Sequence, residues 1–260
     1  HKIKSNFKNN KFTINGSGKI KLQEIFEDIN YSIDSDDKDF KFNSKLLLSE
    51  LNFNSQEYLK NFITNLDKTT TLKDQKIEIN LDKKKLLING QGKIKFNNDF
   101  EDIKFKVLKI KNKFNFNTEL DLDNTPFKIN FLNFVKNDKS KTRIRFAGSY
   151  EPENSLDFED ISIINENNRL ILKNIFLNKN NLIEKVDEVK LEFLDNQNKK
   201  NNILLKKIKQ NKYQITGSSF NAEKLIDSLL FSKKDNNLKL FQNDNEISLN
   251  LKEIYLDNLY

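Results

Sequence analysis

Along much of the chain, apolar and polar residues alternate with a period of two. Phe114, Phe116, Leu120 and Leu122 alternate with Asn115, Asn117, Glu119 and Asp121. Ile77, Ile79 and Leu81 alternate with Glu78, Asn80 and Asp82, and Ile247, Leu249 and Leu251 with Ser248, Asn250 and Lys252. Successive side chains of a strand point to opposite faces, so each stretch predicts a strand with one apolar and one polar face. Between them lie short polar clusters: Asp34 to Asp39, Asp82 to Lys85, and Asn165 to Asn168. These read as turns. Connections so short force antiparallel meanders, because a parallel crossover needs a dozen or more residues.

The strands recur. Ile14-Asn15-Gly16-Ser17-Gly18-Lys19-Ile20-Lys21 returns as Ile88-Asn89-Gly90-Gln91-Gly92-Lys93-Ile94-Lys95, and Phe26-Glu27-Asp28-Ile29 as Phe100-Glu101-Asp102-Ile103. Phe40, Phe42, Asn43, Leu46, Leu48 and Phe53 return at 114, 116, 117, 120, 122 and 127. The offset is 74 throughout, and 17 of 40 positions are identical over 14–53 against 88–127. A looser third copy is read near Gly148, with Phe158-Glu159-Asp160-Ile161, and a fourth at Val186-Asp187-Glu188-Val189. Units that cannot bury their own apolar face stack into an array.

Two stretches change period. Residues 55–66 carry Tyr58, Leu59, Phe62, Ile63 and Leu66 at helical spacing, with Asn54 placed as N-cap and Glu57 three residues on. Residues 222–231 carry Ala222, Leu225, Ile226, Leu229 and Leu230 behind Asn221. Both predict short amphipathic helices lying on or capping the sheet. The expected fold is mostly β: an elongated, curved antiparallel sheet of repeated strands, groove-like, with two short helices. Its expected units are 1–75, with the helix near 55–66; 76–141; and 142–260, with the helix near 222–231. The alternative is one continuous elongated domain.

Composition sharpens this picture. Hydrophobic residues are 36% of the chain, below the roughly 45–50% of an ordinary globular domain. A single curved sheet with one wet face needs less apolar surface than a sandwich. The formal charge is +7, from 45 basic and 38 acidic residues, a mild excess consistent with the Asn-, Lys- and Ile-rich usage of AT-rich codons. Nucleic acid is not an expected partner: the Phe residues share a face with Leu and Ile while Lys lies opposite, whereas a stacking platform needs exposed aromatics beside a basic stripe. No run reaches the ~18–20 apolar residues of a membrane helix. The patterned stretches run to both ends, so the chain is expected to be an internal segment of a larger protein.

The chemical inventory is sparse. There is no cysteine, and the single histidine is His1, which removes Ser/His and Cys/His catalysis and histidine metal sites. Counted from Asp34, the sixth and twelfth positions of a calcium loop fall on Asp39 and Lys45 instead of Gly and Glu, so Asp34, Asp36, Asp37 and Asp39 read as an acidic hairpin turn. The pairs Glu27-Asp28, Glu101-Asp102 and Glu159-Asp160 recur with the structural unit, as a turn or strand feature does and a single catalytic pair does not. Gly16-x-Gly18 and Gly90-x-Gly92 lie inside strand patterns and are read as bulges or bends. No enzyme activity and no cofactor are expected.

Residues 113–231 resemble the AsmA-like family of bacterial envelope proteins, in particular its large members of the YhdP and TamB type. The order of elements carries the resemblance. Thr125-Pro126-Phe127-Lys128-Ile129-Asn130-Phe131 is followed by Asn133-Phe134, a basic turn, and Thr142-Arg143-Ile144-Arg145-Phe146-Ala147-Gly148-Ser149-Tyr150. Two-strand units follow, then Tyr213-Gln214-Ile215-Thr216-Gly217-Ser218-Ser219-Phe220-Asn221-Ala222-Glu223-Lys224-Leu225-Ile226. Phe and Asn stand where relatives often carry Trp and Arg.

The resemblance implies a hydrophobic β-groove in the periplasm that moves phospholipid between inner and outer membranes, as part of an inner-membrane-anchored protein. The expected partners are phospholipid acyl chains, with both membranes reached through parts outside these residues. The candidate groove-lining residues are Phe40, Phe42, Leu46, Leu48, Ile77, Ile79, Ile94, Phe96, Phe105, Val107, Phe114, Phe116, Leu120, Leu122, Ile161, Ile163, Leu191, Phe193, Ile247, Leu249 and Leu251. The alternative is a structural or interaction β-repeat module of the cell envelope with a sealed core. A weaker third reading is a catalytic β-solenoid acting on envelope glycans.

Overall fold

A computed structural model of the chain describes residues 1–8, 10–137, 139–179, 183–224, 226 and 245–256. Among the described residues the fold is all-β, with one large, open, mostly antiparallel sheet of 16 strands and a separate two-stranded ribbon. The chain divides into two compact units: residues 1–55 with 67–120, and residues 56–66 with 121–260.

The first unit is a meander in which each strand pairs with the next. Its members are β1 (Lys2–Lys8), β2 (Lys11–Leu22), β3 (Ile25–Ser35), β4 (Phe40–Asn54), β5 (Thr69–Asp82), β6 (Lys85–Lys95), β7 (Phe100–Ile110) and β8 (Lys113–Asp121). The predicted alternation is what these strands display. Turns at 23–24, 83–84 and 111–112 are closed by a first residue in the left-handed region, Gln23, Lys83 and Lys111 at φ of 53°, 53° and 54°. The acidic turn is a hairpin loop: Asp36 accepts from the N–H groups of Lys38 and Asp39 at 2.9 and 2.8 Å.

The ladder repeats with the sequence. Gly16 lies opposite Ile3 and Tyr31, and, 74 residues later, Gly90 lies opposite Ile77 and Phe105. Thus β2 and β6 are equivalent, as are β3 and β7, while β1 corresponds to the second half of β5. The period of the array is four strands.

The second unit opens with a ribbon of β9 (Phe127–Ile129) and β10 (Phe134–Lys136), joined by a 3-10 turn at Asn130–Leu132. Then come β11 (Thr142–Glu151), β12 (Ser155–Asn165), β13 (Asn168–Asn178), β14 (Ile183–Lys185), β15 (Glu188–Leu194), β16 (Lys200–Lys209), β17 (Lys212–Asn221) and β18 (Glu246–Tyr255). Strands β14 and β15 both pair with β13, interrupted at Val186 and Asp187. This unit has a packed core. Phe134, 1% exposed, sits 5.8 Å from the Phe127 ring and 5.5 Å, edge-on, from Phe193. Ile175, Val186 and Tyr213 form a second cluster.

Two expectations are corrected. The helix over 55–66 is a single 3-10 turn, Glu57–Asn61; Asn54 ends β4, and the N-cap position, Gln56, makes no side-chain cap bond. Pairing with the ribbon overrides helical propensity here: Thr64 N–H donates to the Pro126 carbonyl, Lys128 N–H donates to the Phe62 carbonyl, and Ile63 bridges Phe127. Tyr58 and Phe62 are left exposed, Leu59 and Leu66 are half-buried, and only Ile63 of the helix-spaced stripe is buried. The meander is also not uniform, because β18 runs parallel to β17. The 24 residues between them are long enough for the crossover a parallel pair requires. Of the predicted helix at 222–231, the structure describes only 222–224 and 226, with one helical bond from Ile226 N–H to the Ala222 carbonyl; the rest lies outside the described residues.

Candidate functional site

Register assembles the apolar side chains of the first unit into rows across its strands. One row runs Ile29, Leu46, Ile77, Gly90, Phe105; the next runs Tyr31, Ser44, Ile79, Ile88, Val107; a third runs Ile14, Ile33, Phe42, Leu81, Leu86. All three lie on one face. The opposite face carries Asn15, Ser32, Asn43 and Asn80, and cross-strand ion pairs such as Lys45–Glu78 at 3.2 Å and Lys93–Asp102 at 2.8 Å. A shallow depression of about 360 Å³ on that polar face is lined chiefly by Asn30, Ser32, Asn43, Lys45, Glu78 and Asn80.

The predicted lining residues separate by burial. Leu46, Leu48, Ile94, Phe96, Leu120, Leu122, Leu191 and Phe193 are buried. Phe193 in particular is packed against Phe134. Phe42, Ile77, Ile79, Phe105, Val107, Phe114, Phe116, Ile161, Ile163 and Leu251 are half-buried, and Phe40, Ile247 and Leu249 are exposed. In the second unit Ile161 lies between Phe146 and Leu172, Ile163 between Ile144 and Leu170, and Leu191 between Leu170 and Ile203. Ile247, Leu249 and Leu251 lie beside Tyr213, Ile215 and Gly217.

The half-buried side chains of the first unit's apolar face lie in cross-strand rows and are flanked by one another along each row, while Leu46, Leu48, Ile94, Phe96 and Leu120 of the same unit are buried. Ile14, Ile29, Tyr31, Ile33, Leu81, Leu86 and Ile88 share this face and were missed as candidates. Their signal was present, since Ile29, Tyr31 and Ile33 alternate with Asn30, Ser32 and Asp34.

Polar groups set into the apolar face are structural. Glu27, 3% exposed, accepts from the Ser49 N–H at 2.9 and 3.0 Å and from the Ser49 hydroxyl at 2.8 Å. Burial pushes its pKa up, but the bonds from Ser49 and Glu50 and the charge of Lys19 outweigh this and hold it below the ordinary glutamate value. Glu101, its counterpart one repeat later, is buried to the same degree. Gln75 sits in a β-bulge where Asp74 and Gln75 face Gly92, and its Nε2 donates to the Lys93 carbonyl at 2.7 Å. In the second unit the buried Lys136 ammonium donates to the Asp123 and Thr125 carbonyls at 2.9 and 3.0 Å. Among the described residues no group of three or more His, Cys, Asp or Glu side chains is placed to hold a metal ion.

What the rows offer chemically is apolar contact, with side chains spaced at the ~4.8 Å strand repeat along one face of the sheet. No protein-family model, curated protein or solved structure matches this chain.

Proposed function

We propose that this chain is a segment of a periplasmic lipid-transfer conduit, in which the apolar face of the sheet carries phospholipid acyl chains between inner and outer membranes along a groove. The supporting observation is the set of apolar rows in the first unit, which cross β2 to β7 on one face with most of their side chains only half-buried. Each methylene moved from water onto such a face is worth roughly 0.8 kcal/mol when fully buried. A chain of a dozen or more carbons therefore binds without any polar anchor. The role is passive, with no covalent step and no cofactor.

A second reading is favoured by the other unit. There the aromatic trio Phe127, Phe134 and Phe193 fills an ordinary core, as a structural or interaction module of the cell envelope requires. Native mass spectrometry with lipid extraction, after expression in a Gram-negative periplasm, separates the two. The conduit predicts bound phospholipid, lost in Phe42→Asp and Val107→Asp while circular dichroism stays unchanged. A folded, lipid-free protein overturns it and leaves the sealed module.

A further inference from the structure

The third apolar row of the first unit runs onto a cation. Register sets Ile14, Ile33, Phe42, Leu81 and Leu86 side by side from β2 to β6, and the β7 residue opposite Leu86 is Lys109. At the ~4.8 Å strand spacing this row is about 24 Å long. In the three rows from β2 to β7, Lys109 is the single charged side chain. It is half-buried, and its ammonium stands 5.0 Å from the centroid of the Phe114 ring in β8. Among the described residues it forms no ion pair. On the opposite face Lys19, Lys45 and Lys93 each reach a carboxylate of the neighbouring strand.

The repeat does not require this charge. The counterpart of Lys109 is Ser35, which lies opposite Phe40, the counterpart of Phe114. The ring is kept and the cation is added, so the lysine is not part of the shared ladder. The turns at 83–84 and 111–112 close this end of β5 to β8 and add Lys84 and Lys111, both exposed. The carboxylates there are already matched: Asp39 holds Lys83 at 2.7 Å, and Asp82 lies opposite Lys85. An ammonium over an aromatic face, partly withdrawn from water, attracts an anion more strongly than one in bulk solvent.

We propose that Lys109 is a headgroup site, which takes the phosphate or carboxylate of an anionic amphiphile whose hydrocarbon tail lies along Leu86, Leu81 and Phe42. This rests on the conduit reading and deepens it. The apolar rows accept any acyl chain, and Lys109 makes the face prefer a negatively charged head to a neutral one. Lys84 and Lys111 add to the positive potential at that end.

The test is native mass spectrometry of the full chain, titrated below micelle formation with dodecyl phosphate, neutral dodecyl maltoside and inorganic phosphate. Dodecyl phosphate is expected to bind about tenfold more tightly than dodecyl maltoside, less so as salt rises, and inorganic phosphate alone not to bind. Lys109→Ser, which installs the residue of the first repeat, should lose most of that advantage and leave maltoside binding unchanged. Lys109→Arg should keep it, as should Lys106→Gln on the polar face. Equal binding of the two amphiphiles by the parent protein overturns the proposal and leaves the conduit reading intact, whereas binding of neither overturns both. An advantage that survives in Lys109→Ser, or inorganic phosphate binding as tightly as dodecyl phosphate, also overturns it, since the anion is then held elsewhere or without its tail.

Discussion

Gly16 and Gly90 are needed for the Cβ they lack, since no glycine here has a positive φ. Each lies beneath the cross-strand aromatic of its own repeat. A Cβ on Gly16 would come within 2.2 Å of the Tyr31 ring, and one on Gly90 within 2.1 Å of Phe105. They sit in regular register, so of the bulges or bends expected at the Gly-x-Gly pairs no bulge falls at these two positions. Gly92, opposite the Asp74–Gln75 bulge, and Gly148, at a register shift in β11, do serve bulges. The distinction predicts unequal costs. Gly90→Ala should lower stability by about 1 kcal/mol, because only the far end of Phe105 must move, and should be nearly neutral in a Phe105→Leu background. Gly148→Ala should cost about 3 kcal/mol, because its Cβ meets the Asp157 carbonyl at 2.0 Å. Urea denaturation checks both. Glu27 carries a pH dependence. Its folded pKa is depressed, so its contribution is complete above the usual glutamate range and is lost as pH falls through the folded value. Glu27→Gln should therefore cost about 1–2 kcal/mol at neutral pH, and the gap to the parent protein should close on acidification. A gap that is constant with pH would assign the effect to shape and not charge.

Strands were legible because alternation is local. The period-2 runs at 77–81, 114–120 and 247–251 fall within β5, β8 and β18. What alternation cannot encode is which residues meet at a distance. The helix-spaced residues at 55–66 satisfy a helix pattern, yet after one local turn the chain bonds to Pro126 and Lys128, some sixty residues away. The parallel docking of β18 depends on a long connection in the same way. The candidate face was half legible. Register places Ile77, Ile79, Phe105 and Val107 on one face, as their parity implied, but nothing local distinguishes a half-buried Phe116 from Phe193 at 3% exposure. The difference comes from the β9–β10 ribbon, whose Phe134 meets Phe193 edge-on. Phe134→Ala should then cost about 3–5 kcal/mol, read as a lower urea midpoint. Hydrogen exchange should speed up in β9, β10 and β15 and stay unchanged in β2 and β3.

A sheet with a four-strand period can be lengthened by whole periods. Stability in such arrays is a sum of unit terms and nearest-neighbour terms, so an added unit in register brings its own interfaces. Placing residues 14–260 directly after residues 1–87 duplicates one 74-residue repeat and makes a hybrid strand of 85–87 continued by 14–22. Every position then meets its equivalent neighbour. Gly16 takes the place of Gly90 opposite Ile77 and beneath Tyr31, and Gly18 takes the place of Gly92 opposite the bulge at Asp74 and Gln75. The longer protein is expected to fold, to gain β circular dichroism in proportion to four added strands, and to unfold at no lower urea concentration. The same duplication made one residue out of phase, with residues 15–260 after 1–87, turns the hybrid strand's apolar side chains to the polar face. It should aggregate or lose cooperative unfolding. If both duplications fold equally well, in-sheet register is not what holds the first unit together. If neither folds, the 74-residue offset is a relic of sequence and not a unit of structure.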